Sequence, residues 1–452
     1  MIKFRKNFNC CKTVACNNFG VLDSPDYIYK SRRLGYLSIE CKACGSNPPW
    51  INNRLVNNVL QEKLAFQFGR KLTGCPTCNN YFFLTEKTSA NLYGFTSAGT
   101  QRKRCCLCHS IFTLQNYKNS SALQSVLATI VSQQDMREAL KSTGLSARLY
   151  YFYLNKLALV LSNFSRLHEE KGIARKELAM HTEGKVLHFE HKRGVYTLIT
   201  SEADSGYILL QNNNLTKQDL VAKDIYCALE NTMVAVQNLA NIENALINRY
   251  QQNMKRKHFE QLLVGELKPI TKCNLIYPDK LAYIHFQLLK AFTLKTNKYA
   301  HYIEHESCLR SAALMASYSD IKKSNAQIYF FVPCAKTDEQ LQGKEIGWWK
   351  DKWFTNDLGA YCTITSMITG SGDFKLCASN SVEQFYSYLE EHMNKGVNSI
   401  SVIDNLSEIH RVIFNYCDVM DGHTRANSFA LTSEIYTPES LLDDALAMIM
   451  AG

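Results

Sequence analysis

Apolar and polar positions change rhythm twice along this chain. Between Ser121 and Leu161 the rhythm is helical: Leu123, Val126, Leu127 and Ile130 recur at the three- and four-residue spacing that lines one helix face. A second helix is expected from about Gln134 to Ser142. Thr143-Gly144-Leu145-Ser146 then interrupts the pattern, with Gly144 suited to a left-handed turn and Ser146 to an N-cap. Tyr150, Leu154, Leu157 and Leu161 carry a third helix. Helix, glycine turn and capped helix predict a helix-turn-helix over 119–172, with Arg148 and Tyr151 near the start of the recognition helix. Leu140 stands where a small residue normally lets the two helices approach, and a plain helical hairpin is the alternative.

Near Leu178 the period shortens to that of strands. Met180 to Phe189 and Gly194 to Thr200 read as two strands, Asp204-Ser205-Gly206 as a turn, and Tyr207 to Leu210 as the start of a third strand. This is a three-stranded meander. A proline-free helical segment follows, roughly Lys217 to Leu263. Tyr299 to Ile303 then reads as a strand, Cys308 to Ser317 as a helix and Gln327 to Val332 as a strand, which predicts a β-α-β unit with parallel pairing. A closing helix is expected from about Val402 to Val419. Between Lys336 and Ser401 no element is assigned; Trp348, Trp349 and Trp353 there are read as core packing, with base stacking as the alternative. The fold class that results is multidomain α+β.

Upstream of the helices the pattern is set by cysteine. Ten of the 17 cysteines precede residue 110, in short pairs. One set is Cys11, Cys16, Cys41 and Cys44; the other is Cys75, Cys78, Cys105 and Cys108. Each pair suits a tight turn presenting two thiolates, and two such turns complete a tetrahedral Zn²⁺ site with no open position for water. Tyr27-Ile28-Tyr29, Tyr36 to Ile39 and Tyr81 to Leu84 supply hairpin strands between the pairs. Two structural zinc ribbons are therefore expected, at 1–60 and 61–118. Cys10 is an alternative to Cys11, and Cys106 and His109 are alternatives in the second set. The seven later cysteines, Cys227 to Cys417, are read as core residues.

Charge adds a direction to this picture. The net charge is +10, yet residues 1–120 carry +12 and the remainder −2. Localised positive charge attracts a phosphate backbone. Arg102, Lys103 and Arg104, directly before a cysteine pair, and Arg148 are the candidate DNA contacts. No apolar run reaches the ~20 residues of a membrane helix, and the first residues lack a secretory apolar region, so a cytoplasmic, nucleoid-associated location is expected.

Paired cysteine modules, the run Gly99-Thr100-Gln101-Arg102-Lys103-Arg104-Cys105, a helix-turn-helix, a meander followed by β-α-β, and the closing Ile409–Tyr416 and Tyr436-Thr437-Pro438-Glu439 segments resemble the zinc-ribbon insertion-sequence transposases of bacteria. The resemblance implies an RNase H-like α/β domain over 173–452 with a helical insertion at about 215–265. It implies three carboxylates holding Mg²⁺ or Mn²⁺ for DNA cleavage and strand transfer. Carried onto this chain, they fall on Glu183 in the first strand, Glu304 (or Glu306) at the end of the fourth, and Glu408 (or Asp404) on the late helix. A homo-oligomer is the implied assembly. Glutamates stand where the family carries its first two aspartates, so a catalytically inactive, transposase-derived DNA-binding regulator or recruiter is the alternative. His181, His188, His191, His301 and His305 cluster near the same strands and are read as surface or core residues.

Overall fold

The computed structural model describes residues 6–67, 75, 77, 90–97, 99–113, 120–173, 177–189, 193–220, 241–255, 262, 274–296, 298–333, 341–365, 380–393 and 400–451. At the start, β1 (Tyr27–Ser31) and β2 (Ser38–Cys41) form an antiparallel hairpin, and α1 (Asn53–Gln67) follows. A second small sheet has the order β3 (Ala90–Phe95), β4 (Gln101–Cys105), β5 (Ile111–Thr113), all antiparallel. Tyr81 to Leu84, expected as hairpin, lies outside the described residues.

Three helices come next, as the periodicity predicts: α2 (Ser120–Val131), α3 (Met136–Thr143) and α4 (Ala147–Gly172). The buried face of α2 holds Leu123, Val126, Leu127 and Ile130. Helix α3 opens on a reciprocal cap between Asp135 and Glu138 and closes at Gly144, whose φ of 64° is the left-handed conformation that glycine adopts without strain. Ser146 starts α4, its hydroxyl accepting from the Leu149 N–H at 3.4 Å. Ala139 is the side chain that α3 buries, so Leu140 does not occupy the close-packed position.

The strand pattern condenses into one mixed eight-stranded sheet. β6 (Glu177–Phe189), β7 (Arg193–Glu202) and β8 (Ile208–Asn213) make the expected antiparallel meander. After it come β9 (Leu215–Thr216), α5 (Ile242–Lys255), β10 (Asn274–Leu275, paired with β9) and α6 (Pro278–Phe292). Most of the expected helical segment, 221–240 and 256–261 included, falls outside the described residues. Then β11 (Lys298–Glu304) pairs parallel with β6, α7 (Ser307–Lys322) crosses over, and β12 (Ala326–Pro333) pairs parallel with β11. This is the β-α-β unit read from the sequence. β13 (Gln342–Ile346), β14 (Asp351–Asn356) and β15 (Gly359–Thr363) extend the sheet to the order β13-β14-β15-β12-β11-β6-β7-β8. Helix α8 (Asn380–His392) ties to the meander through Tyr386, whose hydroxyl donates to the Thr197 carbonyl at 2.6 Å and accepts from the Lys185 N–H at 3.1 Å.

The chain closes with α9 (Ile400–Tyr416), a short hairpin of β16 (Val419–Met420) and β17 (His423–Thr424), α10 (Arg425–Ser428) and α11 (Pro438–Ala451). Two compact units result, and they cut across the linear division at 60, 118 and 172. One gathers Met1–Lys3, Glu62–Gly172 and Glu391–Gly452; the other gathers Phe4–Gln61 and Ile173–Glu390. The reason is apolar matching between distant segments. In the helical unit, Phe164 of α4 meets Tyr416 of α9 and Tyr436, with ring centroids 5.3 and 5.7 Å apart. In the sheet unit, the first cysteine module sits on α6 and α7: Phe8 packs against Tyr283 at 5.1 Å, Lys12 bonds the Tyr283 hydroxyl, and Cys10 Sγ lies 3.2 Å from Met315 Sδ. Residues 173–390 thus fall in one unit with the first cysteine module, and residues 391–452 fall in the other.

Candidate functional site

The first cysteine set converges. The sulfurs of Cys11, Cys16, Cys41 and Cys44 all lie within 4.8 Å of one another. Cys11–Cys44 is 3.5 Å and Cys16–Cys41 is 3.9 Å, bracketing the ~3.8 Å edge of a tetrahedron with ~2.3 Å metal–sulfur bonds. The hairpin makes this possible: Tyr27 pairs with Cys41, and the Tyr27 hydroxyl accepts from the Cys11 N–H at 2.9 Å, so one tyrosine locks both knuckles. Further donors reach the sulfurs. The Asn18 N–H lies 3.4 Å from Cys16 and the Asn18 amide 3.6 Å from Cys41, while the Cys44 thiol donates to the Ser46 hydroxyl at 3.1 Å. Burial pushes the Cys11 thiol up; it opposes ionisation of Cys44 as well, but hydrogen bonds with Ser46 and Thr13 hold that thiol at about 6. Cys10 turns away toward Met315, which decides between Cys10 and Cys11.

In the second set Cys75, Cys105 and Cys108 converge within the same limit, with Cys75–Cys108 at 3.5 Å. The fourth expected ligand, Cys78, lies outside the described residues. Cys106 and His109 are exposed and are not part of the group. Phe112 packs on Cys75 and Cys105, a minimal core of the kind that requires an ion to hold it. Both groups are all-cysteine and able to hold a metal ion.

The basic run on β4 splits between two faces. Lys103 pairs across with Leu92 and with buried Phe112, on the cysteine side, whereas Arg104 pairs with Asn91 and exposed Ile111. Arg102 shares the face of Arg104 and is anchored by donating to the Phe95 carbonyl at 2.7 Å. Arg104 lies over the Tyr93 ring at 5.9 Å. Arg148 is exposed and is the second residue of α4.

The carboxylates divide sharply. Parallel pairing sets Ile303 beside Thr182, which brings Glu304 next to Glu183. The Gly184 N–H points to Glu304 Oε2 at 3.4 Å, and a side chain at Gly184 would collide with Tyr196, whose hydroxyl stands 1.9 Å from where a Cβ would be. Burial raises Glu183 to about 8, and the charges of Glu304 and Glu383 push the same way, against Arg249 and Lys185. His181 Nε2 is 3.2 Å from Glu183, and Arg249 is 3.8 Å from Glu304. Glu306, the alternative, is the N-cap residue of α7 without a side-chain cap. Glu408 stands differently. Arg411 grips its two oxygens at 3.1 and 2.8 Å, and Arg166 lies 3.8 Å away. Burial would raise this carboxyl, but the two guanidinium groups more than offset it and lower it. Asp404 meets Lys63 at 3.5 Å.

Two features escaped the sequence reading. Glu383 on α8 adds to the charge felt by Glu183; the signal was present, since Val382, Phe385, Tyr386 and Leu389 have helical spacing and are buried. The second is a buried hydrogen-bonded chain. Thr182 and Thr200 share a bond of 2.6 Å, each reaches a histidine at 2.7 Å (His301 and His285), and His285 Nδ1 meets Asn212 at 2.9 Å. Burial lowers His285 to about 3 and His181 to about 4, and lowers His301 as well, so these rings are neutral core residues. His188 is exposed, His305 is buried, and His191 lies outside the described residues. No helix among the described residues is long and apolar enough to cross a membrane. No known family, curated protein or solved structure matches the chain.

Proposed function

We propose that this chain is a DNA-binding protein of the zinc-ribbon transposase type, with two structural Zn²⁺ sites and an RNase H-like unit built on β6–β8, β11 and β12. One observation carries the reading: a meander continued by β-α-β places Glu183 on the first strand and Glu304 at the end of the adjacent parallel strand. Two facing carboxylates are the oxygen donor set that Mg²⁺ or Mn²⁺ prefers, and such an ion supplies activation of water or a 3′-hydroxyl for attack on phosphorus. On the DNA-binding side, Arg102 and Arg104 form the phosphate-facing surface of the second ribbon. Gly144 and Ser146 set α3 and α4 in the order of a helix-turn-helix, with Arg148 at its reading end.

A second reading has its own support. The third acid, Glu408, is fully engaged by Arg411 and Arg166, which favours a transposase-derived protein that binds DNA without cutting it. Three measurements test these claims. Elemental analysis should find two Zn²⁺ per chain; one or none sinks the two-ribbon assignment. Charge reversal of Arg102 and Arg104 to Glu should abolish DNA binding with zinc content intact; unchanged affinity removes that surface from the proposal. Wild-type protein with Mn²⁺ should nick plasmid DNA and Glu183→Gln or Glu304→Gln should not. Absence of nicking by wild type selects the non-cutting reading.

A further inference from the structure

Beside the first cysteine module lies a cavity of about 320 Å³, at the lower end of the ~300–1,000 Å³ range of small-molecule sites. Tyr36 and Asn47 of the module form one side; Arg310 of α7 with Trp348 and Trp349 forms the other. All of these belong to the sheet unit. We infer that this cavity receives one unpaired nucleotide of a DNA strand, its base against the indoles and its phosphate toward Arg310. The inference rests on the DNA-binding reading above.

The chemistry of the walls selects this ligand. Two half-buried tryptophans and a tyrosine offer flat apolar faces, which every base can stack on regardless of sequence. Among the described lining residues Lys12 and Arg310 are cations and none is a carboxylate, which favours an anion. Lys12 is already bonded to Tyr283, and Arg310, whose charge also acts on Asp351, is the cation proposed to meet the phosphate. Its guanidinium is held 4.2 Å over the Trp349 ring, an orientation fixed before any ligand arrives. Trp353 does not line the cavity: it is fully buried, stacked parallel to Phe330, and its indole N–H donates to the Tyr250 hydroxyl at 3.1 Å.

The test uses the full-length, zinc-loaded protein with three labelled probes: a paired duplex, the same duplex with a single-stranded tail, and the single strand alone. Trp348→Ala should weaken binding to the tail and the single strand about ten-fold, the scale of one lost base–aromatic stack, and leave the paired duplex unchanged. Trp348→Phe should recover most of the loss, and Arg310→Gln should reduce tail binding and its salt dependence. Saturating single strand should quench wild-type tryptophan emission. Tail binding indifferent to Trp348→Ala and Arg310→Gln, or unquenched emission, overturns the proposal. If Trp348→Ala does not fold, the Phe and Arg310 variants and the quenching decide. Failure of the parent reading looks different: no probe binds at all. Titration with deoxyadenosine monophosphate then decides the cavity alone, quenching supporting it and its absence overturning it.

Discussion

Two pairs of glutamates in this molecule have opposite electrostatic fates. Glu169 and Glu408, in the helical unit, are almost completely buried and fully neutralised. Arg411 bonds both, Arg166 bonds Glu169, and Ser165 and Gln67 complete the network. Glu183 and Glu304, in the sheet unit, sit beside one another with about a fifth of each side chain exposed, His181 3.2 Å from Glu183 and Arg249 3.8 Å from Glu304. The first pair is held below the ordinary carboxylate range in Glu408, the second above it in Glu183. Acids whose charge is cancelled inside the protein serve to lock helices together. Glu183 is instead held up by burial and by the neighbouring charges of Glu304 and Glu383, which Arg249 and Lys185 offset only in part.

The largest expected effect breaks the neutralised pair. Arg411→Met should cost about 3–5 kcal/mol of stability, because Glu169 and Glu408 are left buried without their main partner. Denaturant unfolding followed by a probe in the helical unit measures this, and a loss under ~1 kcal/mol would mean the network is dispensable. Next is Gly184→Ala, which forces a methyl group into Tyr196 beside the open pair; about 1–3 kcal/mol is expected, read as a lowered melting temperature.

The pH dependence should then separate the pairs by sign. Glu183 binds its proton more tightly folded than unfolded, so it subtracts stability as pH rises from 4.5 toward 8. Glu183→Gln should therefore gain on wild type between pH 5 and pH 8, in metal-free buffer. Glu408, shifted down, contributes stability above the ordinary carboxylate range and loses it as pH falls. Glu408→Gln should be less stable than wild type at neutral pH, with the gap closing in acid. Two slopes of the same sign would erase the distinction. The smallest effect belongs to the surface: Lys185, at 3.1 Å from half-exposed Glu383, should cost no more than ~1 kcal/mol on replacement by alanine.

Much of the fold was legible because its signals are local. The apolar spacing in α2, Gly144 at the end of α3 and the strands of the meander each depend on neighbours a few residues away. So do the cysteine pairs, although Cys10 or Cys11 was settled only by Met315, 305 residues from Cys10. Strands β13–β15 were not legible: β13 is mostly exposed, and the extension forms by pairing with β12, a long-range choice. The ion pairs of Glu408, the expected third carboxylate, were only half legible: Arg411 stands at i,i+3, but Arg166 comes from a helix some 240 residues earlier, as does Glu169, the second partner of Arg411.

By itself, the sequence determined the helices of 120–172, the strands of the meander and of the β-α-β unit, which thiols travel in pairs and where positive charge accumulates, since each follows from chain geometry over a turn or two. Tertiary structure alone decided which carboxylate is lowered by buried guanidinium groups and which is raised by burial beside another acid, and which segments share a core. Those outcomes depend on the charges and apolar faces that distant segments bring into low-dielectric contact, and no local pattern encodes them.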